Sequence, residues 1–209
     1  IIRALDAGKI QTASDILFVG NVGEEGSGDL RGMKYLFEKG PYKDRIKMFI
    51  SLDPAGPGTE IMNGAVGSKR YKITFTGPGG HSYAGFGLVN PVFALGNAMS
   101  KISKMQVPSN PRTTVNVGVI GGGTSVNSIP FEAWMEVDLR SESREELNKQ
   151  ADIMTGLIRQ AVEEENRARS TGQGKIEVDI KMIGDRPSGA TPINAQIVQS
   201  ATAVVRAFG

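Results

Sequence analysis

Cysteine is absent from the 209 residues. That removes disulfides, thiolate nucleophiles and zinc sites built on Cys. Histidine occurs once, so a metal site resting on two or three imidazoles cannot be assembled from this chain alone. No apolar run approaches the roughly 18 residues of a membrane-spanning helix. Neither sign of charge dominates, since 24 Lys and Arg against 22 Asp and Glu leave a net charge of +2. The composition therefore gives no footing for a nucleic acid or an anionic membrane as partner. The alternating segments also lack the aromatic pattern on which RNA-binding sheets stack bases. Hydrophobic residues at 39% and charged residues at 22% are ordinary for a globular protein. The length suits one large domain or two modest ones. The chain opens on Ile1-Ile2-Arg3-Ala4-Leu5 and closes on Val204-Val205-Arg206-Ala207-Phe208-Gly209. Natural termini are usually polar, so the expectation is an internal piece of a longer protein, with the compartment left open.

Periodicity divides the chain. Residues 15–21 (DILFVGN) and 47–52 (KMFISL) are short apolar runs, expected as buried strands flanking a helix over residues 30–39 that stops at Gly40. Strand, helix and strand of this kind predict a parallel α/β sheet. A different pattern begins near residue 70. Tyr71, Ile73 and Phe75 alternate, and Asn90-Pro91 opens a helix striped by Ala94, Leu95, Ala98, Met99, Ile102 and Met105. Val115, Val117 and Val119 alternate next, then Ala133, Met135, Val137 and Leu139. Ser143 and Glu146 read as a capping box ahead of a long helix carrying Leu147, Ala151, Met154, Ile158 and Val162. Ile176, Val178, Ile180 and Met182 close the series, and Thr191-Pro192 opens a last helix. The order is βαββαβ, the split βαβ plan of a ferredoxin-like sandwich. The expected fold is thus α/β, with such a domain (66–184) inserted into a parallel-sheet domain formed by residues 1–65 and 185–209.

Three carboxylates fall at one edge of the expected parallel sheet. Glu24 and Glu25 follow the first run in Gly23-Glu24-Glu25-Gly26, and Asp53 ends the second. Open α/β sheets bind ligands outside the carboxyl ends of their strands. Neighbouring side chains in an extended segment point opposite ways, so Glu24 and Glu25 are free to do different work, one gripping a cation and one facing a substrate. A solvated acidic turn at a helix N-terminus fits the same spacing. The glycine spacing is neither a dinucleotide fingerprint nor a Walker phosphate loop.

His81 lies in the loop Gly77-Pro78-Gly79-Gly80-His81-Ser82. Flanked by glycines, it is a candidate hydrogen-bond donor to a developing oxyanion, or else a solvent-exposed polar loop residue. Asn127, in the glycine-rich link 121–130, and Arg140, ending a strand, are further candidates. Arg suits a carboxylate through its planar fork; a turn Asn and a solvated strand-end Arg are the plain alternatives.

Taken in order, Gly23-Glu24-Glu25-Gly26, Asp53, Gly79-Gly80-His81-Ser82, Asn127-x-Ile129-Pro130 and Asp138-x-Arg140 resemble the M20 metallopeptidases. That family includes peptidase T-like tripeptidases, glutamate carboxypeptidases, aminoacylases and succinyl-diaminopimelate desuccinylases. The resemblance spans nearly the whole chain. It implies a hydrolase of amide bonds in small peptides with two zinc ions per subunit. By the same resemblance Glu24 is the general base, Glu25 a ligand of one zinc and Asp53 a ligand of the other. His81 reaches the partner subunit's site and polarises the scissile carbonyl. Asn127 and Arg140 anchor substrate, and the inserted domain is the lid through which a homodimer forms. The family's remaining ligands, a His-x-Asp, a bridging Asp and a late His, have no counterpart in residues 1–209. The segment alone is therefore expected to be inactive. The rival readings are a deacylase of N-acyl amino acids and a non-enzymatic dimeric binding module.

Overall fold

A computed structural model describes residues 1–53, 60–169 and 173–208. The chain forms two units, residues 1–47 and 48–209. The first contains helix α1 (Ile2–Ala7), a single 3-10 turn (Gly26–Gly28) and helix α2 (Arg31–Glu38). The second contains β1 (Gly64–Ala65), β2 (Gly67–Thr76), β3 (Gly80–His81), α3 (Pro91–Ile102), β4 (Thr113–Gly122), β5 (Ser128–Ile129), β6 (Glu132–Ser141), α4 (Arg144–Ala168), β7 (Glu177–Arg186), β8 (Gly189–Ala190) and α5 (Gln196–Phe208).

Four of these strands form an antiparallel sheet in the order β4-β6-β2-β7. The first and third strands of the βαββαβ series thus lie at the centre, as a ferredoxin-like fold requires. Alternation decides which face is buried. Ile73, Phe75, Met135 and Leu139 are fully buried on one side, beneath α3 and α4. The helical stripes meet them there. Ala94, Leu95, Ala98 and Ile102 of α3, and Leu147, Ala151, Met154, Ile158 and Val162 of α4, all belong to this core. Tyr71, Met99, Met105, Val115, Val117, Val178 and Ile180 pack at its margin.

Caps set the helix starts. The Asn90 side chain accepts from the Val92 N–H at 2.9 Å with Pro91 in the first turn. Ser143 Oγ accepts from the Glu146 N–H at 3.3 Å. The expected capping box closes only halfway, because the Glu146 carboxylate turns to Gln150 at 2.7 Å. The Ser143 N–H goes instead to Ser141 Oγ at 3.1 Å.

Bulges modify the expected strands. Val117 pairs with Val137 but Val119 pairs with Glu136, leaving Gly118 as the extra residue. Val119 therefore leaves the inward row and is 46% exposed. Ile183 is likewise the extra residue between Met182, opposite Tyr71, and Gly184, opposite Arg70. The chain enters and leaves the sheet side by side. Gly64 and Ala65 pair with Ala190 and Gly189, and the Thr191 N–H donates to the Asn63 carbonyl at 2.6 Å.

Two expected strands do not form. Residues 15–21 and 47–52 lie in no ladder and are exposed, with Phe18 at 45% and Ile50 at 66%. A strand holds only when its row of N–H and C=O groups finds a partner row. Among the described residues neither run belongs to a ladder, and the ladders that form are antiparallel. The last helix also starts later than expected, at Gln196 rather than Thr191, because Pro192 to Ala195 closes as a turn.

The two helices are tied by Glu164, whose carboxylate accepts from Lys101 Nζ at 2.9 Å and from Asn97 Nδ2 at 2.7 Å. The Lys101 hydrogen bond, then that of Asn97, hold its pKa down at about 2, below the ordinary 4.5. A depressed folded-state pKa contributes stability that is complete above the unfolded value and is lost as pH falls towards about 2. Glu164→Gln is therefore expected to lower the urea midpoint at neutral pH, with the gap to the parent narrowing as pH falls from about 4.5 to about 2. A gap that stays constant over that window contradicts the pairing.

Candidate functional site

In the first unit, Glu24 and Glu25 sit on a loop that folds back onto α2. The Leu30, Arg31 and Gly32 N–H groups donate to the carbonyls of Glu24, Gly23 and Val22 at 3.4, 3.1 and 3.1 Å. The loop backbone thereby takes up donors that a helix start otherwise leaves open. Gly23 adopts φ +65°, and a Cβ there would collide with the Arg31 side chain. Glu24 is half-buried and Glu25 exposed, so the adjacent residues differ in their access to solvent.

In the second unit, β3 pairs with β5, placing Gly80 opposite Ile129 and His81 opposite Ser128. Two further bonds extend this short ladder: the Ser82 N–H to the Asn127 carbonyl at 2.9 Å, and the Gly77 N–H to that of Phe131 at 2.9 Å. Gly79 has φ +65°, and a Cβ there would come 2.5 Å from the Phe131 ring. Only glycine fits, and the ring in turn fixes the loop. Ile129 is buried beneath it. His81 in β3 and Asn127 in the turn just before β5, far apart in sequence, are thus brought to the same short ladder, and both are exposed. Ser125 Oγ donates to Asn127 Oδ1 at 2.6 Å and orients the amide.

Arg140 stands elsewhere. It lies near the far end of β6, and at about 3.3 Å per residue that is roughly 25 Å along the strand from the His81 ladder. Its Nε donates to Asp138 Oδ2 at 2.7 Å, while Arg70 Nε donates to Asp138 Oδ1 at 3.0 Å. Asp138 therefore holds both guanidinium groups. Its spacing of two from Arg140 was the readable signal for this, since such residues share a face of a strand. Lys72 lies over the Trp134 ring at 4.7 Å on the same face, making the open side of the sheet polar and cross-linked.

Asp53 is exposed and ends no strand. Among the described residues no group of three or more His, Cys, Asp or Glu is placed to hold a metal ion. A zinc ion takes three or four protein ligands, so Glu25 and Asp53 do not by themselves fit one.

Comparison with known proteins gives this arrangement a family. Residues 63–166 match the M20 peptidase dimerisation domain. A peptidase M20 domain-containing protein of Sordaria macrospora is 28% identical over 185 residues, covering 82% of this chain. The chain spans 40% of that relative's length. Aminopeptidase PepT from Bacillus cereus superposes with a TM-score of 0.59 at 21% identity, over 76% of this chain and 40% of its own. A tripeptidase from Staphylococcus aureus gives 0.53 at 23%, over 70% and 36%. An amidase of the hydantoinase/carbamoylase family from Burkholderia vietnamiensis gives 0.55 at 20%, over 70% and 34%. Residues 63–166 therefore carry the M20 peptidase dimerisation domain, in a chain whose fold is shared with parts of the aminopeptidase, the tripeptidase and the amidase.

Proposed function

We propose that this chain is part of a zinc-dependent hydrolase of amide bonds in small peptides, an amino- or carboxypeptidase. The carrying observation is the joining of the His81 loop to the Asn127 turn, through the β3–β5 ladder and the Ser82 N–H bond to the Asn127 carbonyl, at an exposed end of the matched dimerisation domain. In this reading Glu24 takes a proton from the attacking water and passes it to the leaving amine. His81 donates to the oxygen that gains charge. Asn127 and Arg140 are proposed to hold the substrate, Arg140 through its fork on a carboxylate; since Arg140 lies far along β6 from His81, His81 and Arg140 are proposed to serve different active sites of the homodimer. Glu25 and Asp53 are proposed as ligands of separate zinc ions, which when bound supply Lewis-acid polarisation. The rest of each shell is assigned to the longer polypeptide that the 40% coverage points to. The segment alone is expected to bind zinc weakly.

The domain plan follows the same reading. Residues 66–184 are proposed as the inserted lid, supported by the side-by-side entry and exit at β1 and β8, with residues 1–65 and 185–209 belonging to the catalytic domain. Strand β4 is a sheet edge, and such an edge presents unpaired backbone groups that a two-fold mate can cover. The chain is expected to sediment as a homodimer. A monomer at high concentration contradicts that.

The functional test is hydrolysis by the longer zinc-loaded polypeptide, assayed on di- and tripeptides and on N-acyl amino acids. Cleavage of peptides in preference is expected. Preference for N-acyl amino acids would make the protein a deacylase. Inactivity on both, with the dimer retained, would leave a non-enzymatic binding module.

A further inference from the structure

His81 carries a constraint that the proposed role does not itself demand. Its Nδ1 faces two backbone donors in the turn that follows, the Tyr83 N–H at 3.2 Å and the Ala84 N–H at 3.4 Å. The turn is closed independently of the imidazole. The Gly85 N–H donates to the His81 carbonyl at 2.8 Å, and the Leu88 N–H to that of Gly85 at 3.0 Å. On the other side, the ladder to Ser128 and the Ser82 bond to Asn127 fix the backbone that bears the ring. The two N–H groups are thus aimed at Nδ1 by structure on both flanks.

An imidazole nitrogen that receives N–H donors offers them its lone pair, so it carries no proton of its own. In the neutral ring the proton then belongs to the other nitrogen. We propose that the turn of residues 82–85 locks His81 in the Nε2–H tautomer and presents Nε2 outward as a hydrogen-bond donor. Nε2 has no partner among the described residues, and the residue is exposed.

The consequence is a choice among the three things a lone loop histidine can do. A general base or a metal ligand acting through Nε2 needs that nitrogen unprotonated. In the neutral ring the proton would then move to Nδ1, against two aimed N–H groups. A donor to an oxyanion needs Nε2–H, which the turn supplies in advance and with no reorganisation. Tyr83, Ala84 and Gly85 are positioning residues for that donor through their backbone. The functional half of this inference rests on the hydrolase reading; the tautomer does not.

Having a single histidine makes the test direct, because the ring signals need no assignment. Two-bond proton–nitrogen correlation spectra of the 15N-histidine-labelled chain, recorded with the ring neutral, report both nitrogens. Nδ1 is expected to resonate as an unprotonated, pyridine-type nitrogen and Nε2 as a protonated, pyrrole-type one. The reverse pattern, or a rapidly averaged pair, overturns the lock. In the longer, active polypeptide, His81→Asn keeps an acceptor near the Nδ1 position but lacks the Nε2 donor, and should lose activity about as His81→Ala does. Full activity in His81→Asn with the spectrum as expected would sink the hydrolase role while leaving the tautomer standing. A reversed spectrum with activity lost would do the opposite.

Discussion

Replacing Phe75 by alanine is expected to destabilise the 48–209 unit by about 3–5 kcal/mol, the usual cost of deleting a fully buried aromatic ring. Phe75 is 0% exposed on the central strand β2, opposite Ala133 on β6 and Val178 on β7. Its neighbours cannot readily close the gap. Ala133 is too small to fill it, and the other core side chains are held by two helices and four strands. Since a domain's whole stability is about 5–15 kcal/mol, the variant should sit near its unfolding threshold at ambient temperature. Ile153→Ala is the matched control, because Ile153 on α4 is 40% exposed. Truncating a surface side chain usually moves stability by no more than about 0.5 kcal/mol. Urea denaturation of both variants reads the contrast. Equal losses would mean that the sheet's buried face is misassigned.

That contrast also marks what the residues could disclose. The inserted domain was legible because every long strand has one face on helices and one on water, so Ile73 and Phe75, or Met135 and Leu139, recur with a period of two. The helical stripes were legible for the same reason at a period near 3.6. The bulges at Gly118 and Ile183 were not, since a bulge belongs to the pairing of two strands and neither sequence alone records it. The runs at residues 15–21 and 47–52 show the complementary limit. Their composition suits a buried strand, but a strand needs a neighbouring row of backbone groups, and among the described residues no ladder includes them.

The site divides in a similar way. His81 stood out as a single histidine among glycines, and Gly79 proves necessary through its positive φ and the Phe131 ring. Its juxtaposition with Asn127 depends on a two-residue ladder too short to leave a pattern. The grip of Asp138 on Arg140 could be read from spacing; its second grip, on Arg70, comes from the β2–β6 register. Glu24 and Glu25 were visible as an acidic pair; their unequal exposure, on a loop whose backbone bonds to the start of α2, was not.

We propose that the dimerisation domain lends His81 to the active site of the other subunit. Glu24 belongs to the first unit and His81 to the second, so variants of each can be combined. In the longer polypeptide, Glu24→Ala and His81→Ala homodimers should each be nearly inactive, since loss of an oxyanion donor alone typically costs about a hundredfold or more in rate. Mixing equal amounts under conditions of proven subunit exchange makes roughly half the dimers mixed. In a mixed dimer, the subunit bearing His81→Ala keeps Glu24 and receives His81 from its mate, so one site is whole while the other lacks both groups. Activity is expected to recover to roughly a quarter of the parent's, given independent sites. No recovery after demonstrated exchange would contradict the claim and place His81 in its own subunit's site or outside the reaction.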